Sequence, residues 1–427
     1  MTNRVRAEAV AALLKPGMSV FVQGGATEPA SVLDAVAAMP GSAAGVTFTQ
    51  PNVPGVNRRD LAALHPDARV NAMFATRDND ASLHAGKVRL LPFHYSDLHG
   101  YLSRRARFDL AIVQVSPPDA RGRCSFGVAG DMVPDVLERA ASVVAEINPQ
   151  VPFSPGAPGL AYDRIGYAVE ADHPLLESGN PPLDDTLAAL GRNVAALVSD
   201  GDTIEFGLGG TPNAVLTALR GKRDIGVHTG LATDSLIDLI EAGVVTNARK
   251  PIDPGRSVTG LAIGTRRLYD ALAAGAPVDF RPVSYTHDRA TIARLDRFVA
   301  INSVIEVDLF GQANAEMIGG RQVSGTGGLL DFVEAARRAA HGRSVLALQA
   351  AASDGKTSRI VPALAPGTVV TIPRAEADYV VTEHGVAELR DRSVDERAEA
   401  LIAIAAPFAR EGLAEAWRKL RPGRAAR

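Results

Sequence analysis

The chain of 427 residues has a single cysteine, Cys124. No internal disulfide can form, and a zinc site of four cysteines, or of three cysteines and a histidine, cannot be built within one chain. A reducing, cytoplasmic setting is the natural expectation. Excess positive charge is also missing, since the formal net charge is -3 at pH 7. Such a balance does not condense on phosphate backbones or anionic lipid, so no nucleic-acid or membrane partner is expected. No apolar run reaches the length of a membrane-spanning helix. The opening MTNRVRAEAVAALLKPG places Arg4 and Arg6 before a short apolar stretch, but Glu8 interrupts it. It reads as an amphipathic helix rather than a targeting segment. The nine histidines show no HExxH and no paired spacing, so no metal site is expected.

What the chain does have is an internal repeat. PGMSVFVQGGATEPASVL (16–33) and DGDTIEFGLGGTPNAVL (200–216) share one order: turn glycine, alternating strand, glycine pair, and a proline that opens an apolar helix. Repetition of that order predicts two related α/β domains. The polar, proline-bearing stretch 171–186 reads as the linker, giving domains 1–180 and 187–427. First-half strands are expected at 46–50, 69–75, 109–115 and 141–147. In the second half the pattern gives strands at 225–228, 301–309, 344–350 and 367–372. Helices fall at 234–242 and 329–341, with a helix or turn near 356–363. A helical hairpin broken at Pro407 closes the chain. Strands alternating with helices imply largely parallel sheets.

Two glycine loops stand out. GLGGTP (207–212) has Pro212 where a dinucleotide fingerprint needs a small residue, and no phosphate-cradling lysine. Read alone, it is a tight strand-to-helix turn with Thr211 as cap, placing free N–H groups at a helix N-terminus. The second loop ends INSVIEVDLFGQANAEMIGGRQVSGTGGLLDF (301–332). Its glycines beside Asn302, Asn314, Glu316 and Gln322 describe a backbone that a polar ligand approaches closely. Lys356 and Arg359 in ASDGKTSRIVP are placed to meet an anion together, or to lie on a solvated turn.

These strings, with HTGLATDSLIDLIEAGVVTNARK, PRAEADYVVTEHGVAELR and ERAEALIAIA, resemble the acetyl-CoA hydrolase/transferase family over nearly the whole chain. The resemblance implies two similar open α/β domains of CoA-transferase type with the site in the cleft between them. It also implies transfer of CoA between a short-chain or dicarboxylic acyl-CoA and a carboxylate, through acyl-glutamyl anhydride and glutamyl-CoA intermediates. Acyl-CoA would be substrate, with no tightly bound cofactor, and the assembly a homo-oligomer such as a homodimer. Gly207, Leu208, Gly209 and Gly210 would supply oxyanion N–H groups. Gly325, Gly327 and Gly328 match the region lining the CoA cleft, with Asn302 beside it, and Lys356, Arg359 and Arg321 would meet phosphates or a carboxylate.

The likeness breaks at one place. The family's catalytic glutamate follows a His-Thr or His-Ser pair, whereas HTGLATDS puts Gly230 there. Three explanations stand. A glutamate elsewhere, Glu205 or Glu28, is the nucleophile. Alternatively, water or another acceptor attacks the thioester directly, with Glu205, Asp234 or His228 as base, which gives a hydrolase or acyltransferase. The third is a CoA-binding paralogue without turnover. Glu146, Glu383, His94 and Cys124 carry structural alternatives as strong as any site role.

Overall fold

The computed structural model describes residues 2–154 and 157–421. Its first half folds around eight strands: β1 (Asn3–Arg4), β2 (Ser19–Val22), β3 (Thr47–Gln50), β4 (Arg69–Ala72), β5 (Val88–Leu90), β6 (Phe108–Val115), β7 (Ala140–Ile147) and β8 (Tyr167–Glu170). They lie in the order β1-β8-β7-β6-β2-β3-β4-β5, every neighbour parallel. Strands buried on both faces are near-continuously apolar, as DLAIVQV in β6 is.

The second half repeats the plan with β9 (Thr203–Phe206), β10 (Gly226–Val227), β11 (Ser257–Thr259), β12 (Val278–Phe280), β13 (Phe298–Ser303), β14 (Arg343–Ala347), β15 (Tyr379–Thr382) and β16 (Gly385–Glu388). One sheet runs β10-β9-β13-β14-β15-β16, parallel but for its last pair. A parallel bridge from His228 to Val258 carries it on towards the pair β11 and β12. In each half the first strand of the repeat, β2 or β9, sits between the next strand and one much later. That is the topological switch point, where open α/β sheets bind ligands beyond the strand ends.

Several expectations change. The amphipathic start is a helix of only five residues, Ala7–Ala11. The run 301–309 is two strands, since β13 stops at Ser303 and Glu306–Asp308 pairs elsewhere. Of the helix or turn expected at 356–363 it is the turn that forms, and 367–372 is no strand of the main sheet: Val369 and Val370 are exposed, and β15 takes that place. Thr211 does not cap its helix. Gly209, at φ 115, is the N-cap of Gly210–Ala218, a conformation few side chains tolerate. The closing hairpin is Val394–Ile404 and Arg410–Leu420, with a 3-10 turn from Pro407 between them.

The halves clasp each other reciprocally. From the second-half glycine loop, the Ser324 carbonyl accepts from Ala75 N at 3.3 Å and the Gly327 carbonyl from Tyr95 N at 3.1 Å. From the first half, the Val128 carbonyl accepts from Ala262 N at 2.7 Å and the Asp131 carbonyl from Val283 N at 2.9 Å. Asp331, fully buried, bolts the join by accepting from Ser96 N at 3.1 Å and Ser96 Oγ at 2.6 Å while pairing with Arg289.

Candidate active site

Between the halves, at the C-terminal ends of β9 and β13, lies a cavity of about 480 Å³. The second half contributes Glu205, Gly207, Leu208, Gly209, Gly230 and Asn302, and the first half Val53, Pro54, Phe74 and Tyr95. Gly327, Gly328, His287 and Phe332 complete the wall near Gly230. Among the described residues Glu205 is the one carboxylate in this lining, which contains no lysine or arginine.

Alternation along β9 sends Ile204 and Phe206 into the core and Glu205 to the opposite face. Its Oε2 accepts from Asn302 Nδ2 at 2.8 Å. Burial pushes the carboxyl up to about 8, with the Asn302 hydrogen bond opposing. Next along the chain, the N–H groups of Leu208, Gly209 and Gly210 have no hydrogen-bond partner among the described residues. They begin a nine-residue helix, so the end of the strand offers donors and the positive end of a helix dipole to developing negative charge.

The remaining candidates are placed elsewhere. Glu28 lies outside the cavity; its carboxylate accepts from Gln50 Nε2 and Asn57 Nδ2, each at 3.0 Å, and pairs with Arg59 at 3.2 Å. That network holds the first-half loop together and uses the carboxylate within it. His228 is buried behind the site, with Nε2 bonded to the Thr286 carbonyl at 3.1 Å. Burial, aided by Lys250, lowers its imidazole to about 4. Asp234 is spent on Thr265, accepting from its N at 2.9 Å and its Oγ1 at 2.7 Å, which secures the start of the helix Arg266–Ala273.

Gly325 meets the other half rather than open space: a Cβ on it would lie 2.0 Å from the Met73 carbonyl oxygen. Gly210 is not in the cavity lining, and a Cβ on it would lie 3.2 Å from Leu187 and 3.5 Å from Pro181. Arg321 reaches Asp80 of the first half at 2.7 Å, on the surface. Lys356 and Arg359 sit in the loop after β14, outside the cavity lining, with no ion-pair partner among the described residues.

The four residues with competing structural readings are likewise accounted for. Glu146 is fully buried, accepting from Val32 N at 3.0 Å and meeting His173 Nε2 at 2.6 Å. Glu383 accepts from Ala350 N at 2.9 Å. The thiol of Cys124 is buried and pushed up to about 11, unsuited to attack. His94 touches the site only through its backbone bridge to Gly327.

The residue that sequence reasoning missed is His287. Its signal was a second internal repeat: VRLLPFHYS (88–96) and VDFRPVSYT (278–286) align Pro92 with Pro282, Tyr95 with Tyr285, and Ser96 with Thr286. Each follows the edge strand of its half, β5 or β12, and brings a short helix to the cleft. His287 ends the second of these.

Comparison with known proteins gives the family. Residues 3–168 match the acetyl-CoA hydrolase/transferase N-terminal domain, and 264–417 match the corresponding C-terminal domain. The 4-hydroxybutyrate coenzyme A transferase of Clostridium kluyveri is 40% identical over 352 residues, covering 82% of each chain. The succinyl-CoA:cyclohexane-1-carboxylate CoA transferase of Geobacter metallireducens is 36% identical over 96% of this chain and 94% of its own. Among solved structures, RipA from Yersinia pestis superposes with a TM-score of 0.91 at 30% identity, over 98% of this chain and 97% of that one. The chain belongs to the acetyl-CoA hydrolase/transferase family.

Proposed function

We propose that this protein transfers CoA between a short, uncharged acyl-CoA and a carboxylate acceptor, with Glu205 as the attacking carboxylate. The observation that carries the reading is that Glu205 alone among carboxylates lines the cleft, next to unpartnered loop N–H groups. The Glu205 carboxylate attacks the thioester carbonyl, and the C–S bond breaks to leave an acyl-glutamyl anhydride and CoA thiolate. The thiolate attacks the Glu205 carbonyl, releasing the acyl group as a carboxylate and leaving glutamyl-CoA. An acceptor carboxylate then runs the two steps backwards. Leu208, Gly209 and Gly210 donate to the oxyanions, and Lys356 and Arg359 meet the phosphates of CoA.

Of the two acyl classes expected from the sequence, the short neutral one suits this lining. A second carboxylate on the acyl group would be desolvated there with no cation to pair with, beside Glu205 itself. The transferase names of the relatives support the reaction type. Incubation with butyryl-CoA and acetate, followed by borohydride trapping and peptide mass spectrometry, tests it. A reduced adduct at Glu205 is the expected result, and transfer activity with no adduct there rejects the role.

Direct hydrolysis is the second reading, favoured by the raised carboxyl of Glu205. Once ionised, a carboxylate whose conjugate acid titrates near 8 takes a proton from water more readily than one at the ordinary 4.5. Free thiol appearing without any acceptor would decide for it. The reading also carries the domain division 1–180 and 187–427, testable by proteolysis of the stretch between β8 and the helix at Asp185–Ala196. It further carries a homodimer, testable by light scattering, in a cytoplasmic setting.

A further inference from the structure

The place where Gly230 lacks a side chain is not empty. A Cβ built on Gly230 would come within 3.0 Å of both Cε1 and Nε2 of His287, and one on Gly328 within 2.5 Å of Nε2. The imidazole therefore occupies the volume that a larger residue at 230 would need. It is wedged between Tyr95 and Phe332, with ring centroids 5.0 and 4.6 Å away. Its Nδ1 is 2.9 Å from Thr286 Oγ1, while the other acceptor open to that hydroxyl, the Pro282 carbonyl, is 3.4 Å off. With the Thr286 hydroxyl donating to Nδ1 over the shorter contact, the ring hydrogen stands on Nε2, the tautomer this inference requires. Nε2 has no protein partner among the described residues, and His287 lines the cavity.

We propose that His287 is a catalytic residue of this cleft, its neutral imidazole donating a hydrogen bond from Nε2 to the oxyanion formed at the thioester carbonyl. This rests on the thioester chemistry proposed above, and holds whether Glu205 or water attacks. The ring transfers no proton: it donates while the carbonyl oxygen is negative and releases it when the oxyanion collapses and CoA thiolate leaves. A neutral ring is required for that, and burial keeps His287 neutral by lowering it to about 3. A preorganised donor in a water-poor site stabilises charge without having to reorient during the reaction.

The test compares His287→Phe and His287→Gln in the full chain with butyryl-CoA and acetate. Loss of one such donor lowers kcat by about 10²–10³-fold. That loss is expected in His287→Phe with KM for acyl-CoA nearly unchanged, and partial recovery in His287→Gln, whose amide keeps an N–H. Should His287→Phe fail to fold, long-range 15N–1H spectra of the wild-type ring give the second readout. The proton is expected on Nε2, with its resonance moving when a CoA analogue bearing a ketone in place of the thioester binds. His287→Phe turning over within about threefold of wild type, a proton on Nδ1, or a ring unmoved by bound analogue each overturns the inference alone. A wild type that neither turns over acyl-CoA nor binds the analogue overturns the thioester reading and this inference with it.

Discussion

The two glycine loops of this chain begin alike and end in opposite conditions. In the first half, the loop after β2 is saturated from within. Gly25 N donates to Asn57 Oδ1 at 2.9 Å, Gln23 bonds Thr27 and the Ala129 carbonyl, and Glu146 caps the following helix at Val32 N. The cavity left there is only about 20 Å³. In the second half, the loop after β9 has no such partners and opens on about 480 Å³. The same order of strand, glycine loop and helix thus serves as cement in one copy and as a docking surface in the other. What separates them is whether a carboxylate of the chain already fills the helix N-terminus.

The sharpest way to break the comparison is to remove one glutamate from each copy. Glu205→Gln should reduce transfer by about 10⁴-fold or more and abolish the trapped adduct. Glu28→Gln, tested on the folded fraction in the same thiol assay, should keep turnover within about threefold. Equal losses in both would mean that the first loop also serves chemistry.

Stability should respond in the reverse sense. Glu146→Ala strips the cap from the first-copy helix and leaves His173 unpaired, for a cost of about 3 kcal/mol in urea unfolding. Smaller is the effect of refilling the site glycine. Gly230→Glu drives its side chain into His287 and should cost about 1–3 kcal/mol. Adding His287→Ala should return most of that, and a double-mutant cycle with strictly additive costs would show that the two side chains do not compete for space.

The remaining effect concerns pH. Glu205 keeps its proton to about 8 in the folded chain against 4.5 for a free side chain, so the folded state binds the extra proton between those values. Stability therefore falls as pH rises from about 4.5 to 8, and Glu205→Gln removes that fall. The melting-temperature advantage of Glu205→Gln over wild type should be near zero at the acid end of this window and largest above it. An advantage that stays flat with pH would mean that the carboxyl titrates normally.

Much of the fold was legible because its signals are local. The alternation in β2 and β9, the paired glycines and the helix-opening prolines all act within a dozen residues. Glu205 and Asn302 were visible as polar residues at apolar strand ends, though their hydrogen bond spans almost a hundred positions. Glu28 and Asp234 are bonded to partners that only the tertiary fold supplies, while His228 gives Nε2 to the Thr286 carbonyl and keeps a buried Nδ1 without a partner among the described residues. The apolar run at 367–372 has strand composition, yet it makes one bridge, Ala313 to Ile372, because the sheet position it would take is filled by β15. His287 could have been found from the Pro-x-x-Tyr repeat, but nothing in one dimension tells that its ring fills the space at Gly230.

Gly325 gives the join between the halves an unexpected duty. The carbon it lacks would stand 2.0 Å from the Met73 oxygen, so a missing methyl group sets how far apart the two walls are held. Any side chain at that point would act as a shim in a closed door. CoA would still find its loops, but the gap would admit water to an anhydride or glutamyl thioester that survives only while kept dry. The partition between transfer and leakage would then depend on the spacing of the two walls, set at a glycine between two residues of the cavity lining.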